Sequence, residues 1–353
     1  MAADLGRVVD RPPPLQAPPP ALVTNGQVAF GSYDAPVREV NLLDRWSGLA
    51  RRAHAARLKE WQAAQLISRE HFVLVAVYDT KSLGILQVVV VEKSSGRVSR
   101  FEHKVPSAAL SVGQGLVQTR STGRWRGLAV GFNNDVDAGT IGVTASALPR
   151  ASSPGMLLSV TGDCSPRDAG HMVICHPFAD GMPVYSNKCA MGATGQITVG
   201  QRQEIFPVDD TILIVDDHKG HYPSPMAYDW VTGARVLGDG RRVAVNLTHN
   251  QVQNPAVYNE NVVFIDGAVH RLPPVTFDRP AGVTGPWRVH DQVGMVDVTF
   301  HPEVPNDQHV GVKKVLAEYY GPFGWLSGQV DTPAGTLDLT GFYGMGEKKL
   351  IRV

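Results

Sequence analysis

The sequence has no surplus of either charge. Lys and Arg together number 33, and so do Asp and Glu. Without a net field to gather phosphates, a nucleic-acid partner is not expected. Cysteine is scarce: Cys164, Cys175 and Cys189 are too few for a closed disulfide framework, which fits a reducing compartment and a cytoplasmic location. Long hydrophobic runs are missing too. The stretch ILQVVVV (85–91) is strand-sized, far below the ~18 residues a membrane helix needs. The N-terminus has no apolar segment with a small-residue cleavage site, so neither an integral membrane segment nor secretion is expected. No G-x-G-x-x-G follows a strand, and neither a Walker A nor a G-x-S-x-G motif occurs, so nucleotide cofactors and an α/β-hydrolase are set aside.

Turn formers are abundant. The 36 glycines and 25 prolines make up about one residue in six, a composition that favours many short strands over helices. After residue 70, β-branched runs such as HFVLVAVYD (71–79), LGILQVVVVE (83–92) and GRVSRFEHKV (96–105) are separated by the turn-like TKS and KSSG. In NVVFIDGAVHRL (261–272), Asp266–Gly267 can both take the positive φ of a tight hairpin, and GQVDTPAGTLDL (328–339) reads as a second hairpin. About twenty such strands predict an all-β fold of antiparallel barrels or sandwiches.

Two segments stand apart. Residues 1–22, containing RPPPLQAPPP, read as a disordered or polyproline-II lead-in, because proline removes donors and fixes φ. From Asn41 to about Ile67, Leu42, Trp46, Leu49, Ala53, Leu58 and Trp61 recur near the helical period, which predicts one amphipathic helix with Asn41 as its N-cap and a basic outer face. The expected division is a lead-in over 1–22, a first β domain with the helix over 23–236, and a second over 237–353.

Three clusters could carry chemistry. Cys164, His171, Cys175, His176 and Cys189 have metal-binding side chains, but their spacing matches no common zinc site, and no metal is predicted. In YNENVVFIDG (258–267), alternation puts Asn259 and Asn261 on one face and Tyr258 and Glu260 on the other. An inward Glu260 would have a raised pKa and could donate a proton; the plainer reading is an asparagine-rich turn. In VDDHKGHYPSPMAYDWVTG (215–233), period two sets Asp216 and His218 on one side and Asp217 and Lys219 on the other, so only one aspartate can face a given cavity. Tyr228 and Trp230 share a face. A desolvated acid beside aromatic walls suits protonation of an olefin, whereas a hydrogen-bonded strand end with core aromatics would look the same in sequence.

As a set, DDHKGHYPSPMAYDWVTG, NQVQNPAVYNENVVFIDG, HRLPPVTFDRP with GPWRV, GMVDVTF and YYGPFGWLSGQV resemble a bacterial family with a domain of unknown function. That family is distantly similar to lipocalin-like (calycin) proteins of the carotenoid 1,2-hydratase, tocopherol cyclase and Diels–Alder cyclase type. The resemblance covers the chain after about residue 22. It implies two tandem lipocalin-like β-barrels or strongly curved sheets, each with a central cavity. The ending GMGEKKLIRV departs from the acidic-then-tryptophan pattern of related proteins, which argues against a C-terminal contribution to the site.

The expected partner is a hydrophobic small molecule, with no cofactor. As an enzyme of acid-assisted hydration, cyclisation or isomerisation on an isoprenoid-like substrate, the chain would use Asp216 or Asp217 as acid and His218 or His221 to tune the proton. Tyr222, Tyr228, Trp230 and Trp287 would line the pocket, and Glu260, Asn259 and Asn261 would approach from the second domain. As a carrier or sensor, it would use the same groups as lining. A purely structural protein would have its cavities filled by side chains.

Overall fold

The computed structural model describes residues 12–151, 153–310 and 317–352. The chain is all-β, as its turn-rich composition implies, and forms two curved antiparallel sheets in tandem. The 14-stranded first sheet runs from Arg97–Val105 through Gly84–Glu92, His71–Asp79, Lys59–Ile67, Ile212–Gly220, Pro183–Val199, Met156–Asp163, Thr140–Ala147, Leu128–Asp135 and Thr119–Trp125 to Leu110–Ser111. The 12-stranded second sheet has Met226–Val236 beside Phe342–Ile351 at its centre. The change of sheet falls between Gly220 and Met226, ahead of the boundary expected at 236.

Each sheet curls around its own filled core. In the first, Val88, Phe101, Val130, Phe132, Leu158 and Val215 meet; in the second, Val245, Trp287, Val298, Phe300 and Phe342 do. A further cluster joins the two sheets, with Phe72, Leu74, Ile212 and Ile214 packed on Trp230, Phe264, Phe323 and Tyr343. Strands at this junction are buried on both faces, so HFVLVAVYD reads as a nearly unbroken apolar run rather than an alternation. The predicted hairpin at 261–272 forms, with Asp266 at φ 45° and Gly267 at φ 81°. The one at 328–339 forms as well.

The one expected α-helix forms, and two expectations around it are corrected. It is short, spanning Gly48–Ala55 with no buried residue, while Leu42–Arg45 is a 3₁₀ turn and Lys59–Ile67 is a strand. KEWQAAQLI is rich in good helix formers, but tertiary burial on both faces overrides that propensity. Asn41 makes no side-chain cap; it bonds the backbone N–H and C=O of Val23, each at 2.9 Å. The proline-rich lead-in is the second correction. Residues 1–11 lie outside the described residues, but from residue 12 the segment is docked. Gln16 bridges to Tyr33, Leu22 is fully buried, and the Pro13 carbonyl accepts a hydrogen bond from Arg271. Prolines lack donors but keep free acceptors. Among the described residues, no helix is long and apolar enough to cross a membrane.

The centre of the second sheet depends on a glycine row in which Gly344 pairs with both Gly233 and Gly324. A Cβ at Gly344 would stand 1.9 Å from the Thr232 carbonyl oxygen, and one at Gly324 would stand 2.0 Å from that of His301. Backbone cannot retreat as a side chain can. Gly344→Ala is therefore expected to lower stability by about 3 kcal/mol or more, read as a fall in the urea midpoint at unchanged slope.

Candidate functional site

The VDDHKG stretch is not a turn. It lies within the strand Ile212–Gly220, every residue of which is buried. This strand pairs with Pro183–Val199 on one side and Lys59–Ile67 on the other, setting Asp216 opposite Lys188 and Ala63, and Asp217 opposite Asn187 and Gln62. Alternate side chains therefore enter different compartments. Asp216 and His218 face the second sheet, whereas Asp217 and Lys219 point into the first core.

Between the sheets lies a cavity of about 430 Å³. It is hollow because the cross-strand pair Ala63 and Ala76 sits on its floor, where larger side chains would fill the space. Trp61, Tyr78, Tyr222, Tyr228, Trp230 and Tyr319 form its aromatic walls. The expectation of a central cavity inside each barrel is thus corrected: the hollow is at the junction, and the sheet interiors are packed.

One end of the cavity is charged. Lys188 Nζ lies 2.6 Å from Asp216 Oδ1 and 3.6 Å from Glu260 Oε2. Trp61 donates its indole N–H to Asp216 Oδ2 at 3.0 Å, and the Ser186 hydroxyl donates to Glu260 Oε2 at 2.9 Å. His218 stacks on Trp61, with ring centroids 4.2 Å apart, and its Nδ1 is 3.9 Å from Asp216 Oδ1. Neither ring nitrogen of His218, nor the hydroxyls of Tyr78 and Tyr222, has a hydrogen-bond partner among the described residues. Buried polar atoms without partners are costly, and these converge on one hollow.

Burial raises the Glu260 pKa, Lys188 pulls it back, and the nearby Asp216 charge adds to the rise. Burial would lower Lys188, but Asp216 and Glu260 outweigh it and the net direction is up. His218 is pushed well below its usual value by burial and then by Lys188, which keeps the imidazole neutral near pH 7. The site therefore combines a carboxyl group that takes up a proton more readily than an exposed glutamate, a paired ammonium and a neutral base.

Of the residues singled out in the sequence, Asp216, His218, Tyr222, Tyr228, Trp230 and Glu260 line the cavity. The others stand elsewhere. Asp217 faces the first core beside Lys219 at 3.4 Å, with Lys219 3.8 Å from Glu60. His221 faces Trp46 and the backbone carbonyl of His54. Asn259 bonds Pro255 and Asn261, and Asn261 braces Thr248 and Pro273, which is the turn-stabilising role asparagine commonly plays. Trp287 is in the second core, stacked under Arg279.

Sequence reading overlooked Lys188, Ser186, Trp61, Tyr78, Tyr319, Glu347 and Lys349. The C-terminal strand does contribute: Glu347 and Lys349 both line the cavity, and the Tyr319 hydroxyl donates to Glu347 at 2.5 Å. Alternation of Glu347 and Lys349 was the available signal, since period two puts both on one face.

Asp217 supplies a pH signature of the first core. Burial raises its pKa from 3.8 to about 6 despite Lys219. A raised folded-state value means that its stabilising contribution is complete below about 4 and is lost as pH rises to about 6. The stability difference between the wild type and Asp217→Asn should fall across that window, as followed by calorimetry. A difference that stays flat would contradict the assignment.

No curated protein sequence matches the chain. Among solved structures, one of CghA is 12% identical with a TM-score of 0.51, covering 96% of this chain and 97% of that one. A structure of CghA with Sch210972 has 12% identity, a TM-score of 0.49, and coverage of 84% and 88%. Kievitone hydratase from Nectria haematococca has 10% identity, a TM-score of 0.48, and coverage of 83% and 88%. The likeness to CghA at the higher score is one of fold, in line with the resemblance drawn from the motifs. A family model described as a domain of unknown function (DUF2804) matches residues 14–352, and the chain belongs to that family.

Proposed function

We propose that the protein binds an apolar small molecule between its sheets and transfers protons to and from it at the Asp216–Lys188–Glu260–His218 end. The observation that carries this reading is convergence: two buried carboxylates, one ammonium and a neutral imidazole meet at one end of an aromatic-walled cavity. Small-molecule sites typically pair apolar lining with a few polar groups that fix orientation. Desolvation raises the Glu260 pKa and so favours its acid form, which in this position can protonate a carbon–carbon double bond. The proton forms the new C–H bond, and the π pair is spent making it. The adjacent carbon is left cationic, facing Trp61, Tyr222, Tyr228 and Trp230, whose ring faces steady positive charge.

Three outcomes follow from one cation. Water can add, with His218 taking its proton, which is hydration. A second double bond of the same molecule can add, which is cyclisation. Loss of a proton from another neighbouring carbon to the carboxylate regenerates the acid and leaves the double bond shifted, which is isomerisation. The cavity size and its aromatic walls suit an isoprenoid-like hydrocarbon chain. A carrier would use the same lining, but it would release its ligand unchanged.

Ala76→Trp is expected to fill the floor of the cavity and reduce binding of the fluorescent apolar probe N-phenyl-naphthylamine at least ~tenfold, with the fold retained by circular dichroism. Undiminished binding would place the ligand elsewhere. Extraction of the protein from its native cells, with mass spectrometry of the bound molecule, supplies the substrate for the catalytic test. Glu260→Gln and Asp216→Asn should each slow its conversion by about 100-fold or more, the usual scale for a lost acid or base. Full turnover in both variants, or a ligand that the wild type never alters, would reduce the protein to a carrier.

A further inference from the structure

The same cavity holds a lysine with an unusual setting. Lys349 lies on the strand Phe342–Ile351, flanked in register by Tyr228 and Tyr319 on the neighbouring strands. The first sheet presents another cross-strand pair, Trp61 and Tyr78. Lys349 Nζ is 4.7 Å from the Tyr228 ring centroid, 5.2 Å from Tyr78, 5.3 Å from Tyr319 and 5.5 Å from Trp61. The other buried lysines among the described residues are paired: Lys188 has Asp216, and Lys219 has Asp217 and Glu60. Lys349 forms no ion pair with any described residue, although it is 91% buried.

We propose that Lys349 is a covalent attachment point, its amine condensing with the carbonyl carbon of an apolar aldehyde or ketone in the cavity. The proposal rests on the cavity being the ligand site, as argued above, and adds a substrate class to it. A nucleophilic lysine is favoured by burial and by the lack of a carboxylate at ion-pair distance to hold its proton. Lys349 has both among the described residues. Burial is the largest influence and lowers its pKa; Glu347 and Asp216 oppose it, Lys59 and Lys188 act with it, and the net direction is down.

The chemistry balances without any oxidant or reductant. The nitrogen lone pair forms a C–N bond as the carbonyl π pair moves to oxygen. One proton passes from nitrogen to that oxygen, giving the carbinolamine. A second proton, from the carboxylic acids lining the cavity, lets the oxygen leave as water and yields a protonated imine. The product is a cation at the centre of four ring faces. The cage that poorly replaces water around a free ammonium is well matched to this larger, softer cation. A lysine kept only for packing would not require four rings from both sheets in register.

Decanal with sodium cyanoborohydride tests the proposal, since reduction fixes an imine as a stable secondary amine. Peptide mapping should find the adduct on Lys349 at about tenfold or more over any other lysine. Lys349→Arg and Lys349→Met should both abolish it while retaining a folded circular dichroism spectrum. An adduct spread over surface lysines, or placed on Lys188, overturns the assignment. Decanol, which cannot form an imine, is the control for occupancy. If decanol displaces the naphthylamine probe and decanal leaves no adduct on Lys349, the lysine proposal fails and the ligand site stands. If nothing displaces the probe, or the probe does not bind, both readings fail together.

Discussion

The rest of the molecule depends on one wall that separates two interiors. The strands Lys59–Ile67, His71–Asp79, Pro183–Val199 and Ile212–Gly220 face the first core on one side and the cavity on the other. Because side chains alternate, each residue is assigned to a compartment by parity alone. Asp216 belongs to the cavity and Asp217 to the core. A one-residue slip would exchange them, together with Lys188 for Asn187 and Trp61 for Gln62. Register along this wall is therefore the condition for a site, and the nine consecutive pairs between Ile212–Gly220 and Lys59–Ile67 hold it.

The wall also explains how so much charge is tolerated inside a greasy molecule. Isolated buried ions are prohibitively unfavourable, so they occur as partnered groups. On the cavity side, one ammonium lies between two carboxyl groups, the indole of Trp61 donates to the second oxygen of Asp216, and the hydroxyl of Ser186 shares Glu260 Oε2 with Lys188. On the core side, Asp217, Lys219 and Glu60 form a separate set, with Glu60 also bonded to Lys81. The two networks stand back to back on one strand. Only the first opens on a space that a ligand could enter.

Fold class was legible in the sequence because turn residues and β-branched runs are local signals. Both Asp–Gly and Pro–Ala–Gly hairpins formed where the sequence placed them. The segment Lys59–Ile67 was not legible. With both faces buried it has no alternation to detect, and its Glu, Gln and Ala content argues for helix. Of the site, parity correctly separated Asp216 with His218 from Asp217 with Lys219, and it set Tyr228 beside Trp230. Asn259, Asn261 and Trp287 attracted notice as polar or aromatic residues in dense motifs, but they serve a turn and a core. Lys188 went unnoticed for the opposite reason. It sits in the undistinguished run SNKCAMG, and its importance comes from a strand that lies beside it only after folding.

The cavity has a divided origin: its carboxylate Asp216 comes from one sheet and its wall residues Tyr228 and Lys349 come from the other. Neither half of the chain, expressed alone, would possess a container; each would present half a mould with its aromatic lining open to water. An occupant touches both moulds at once and so acts as a rivet between them.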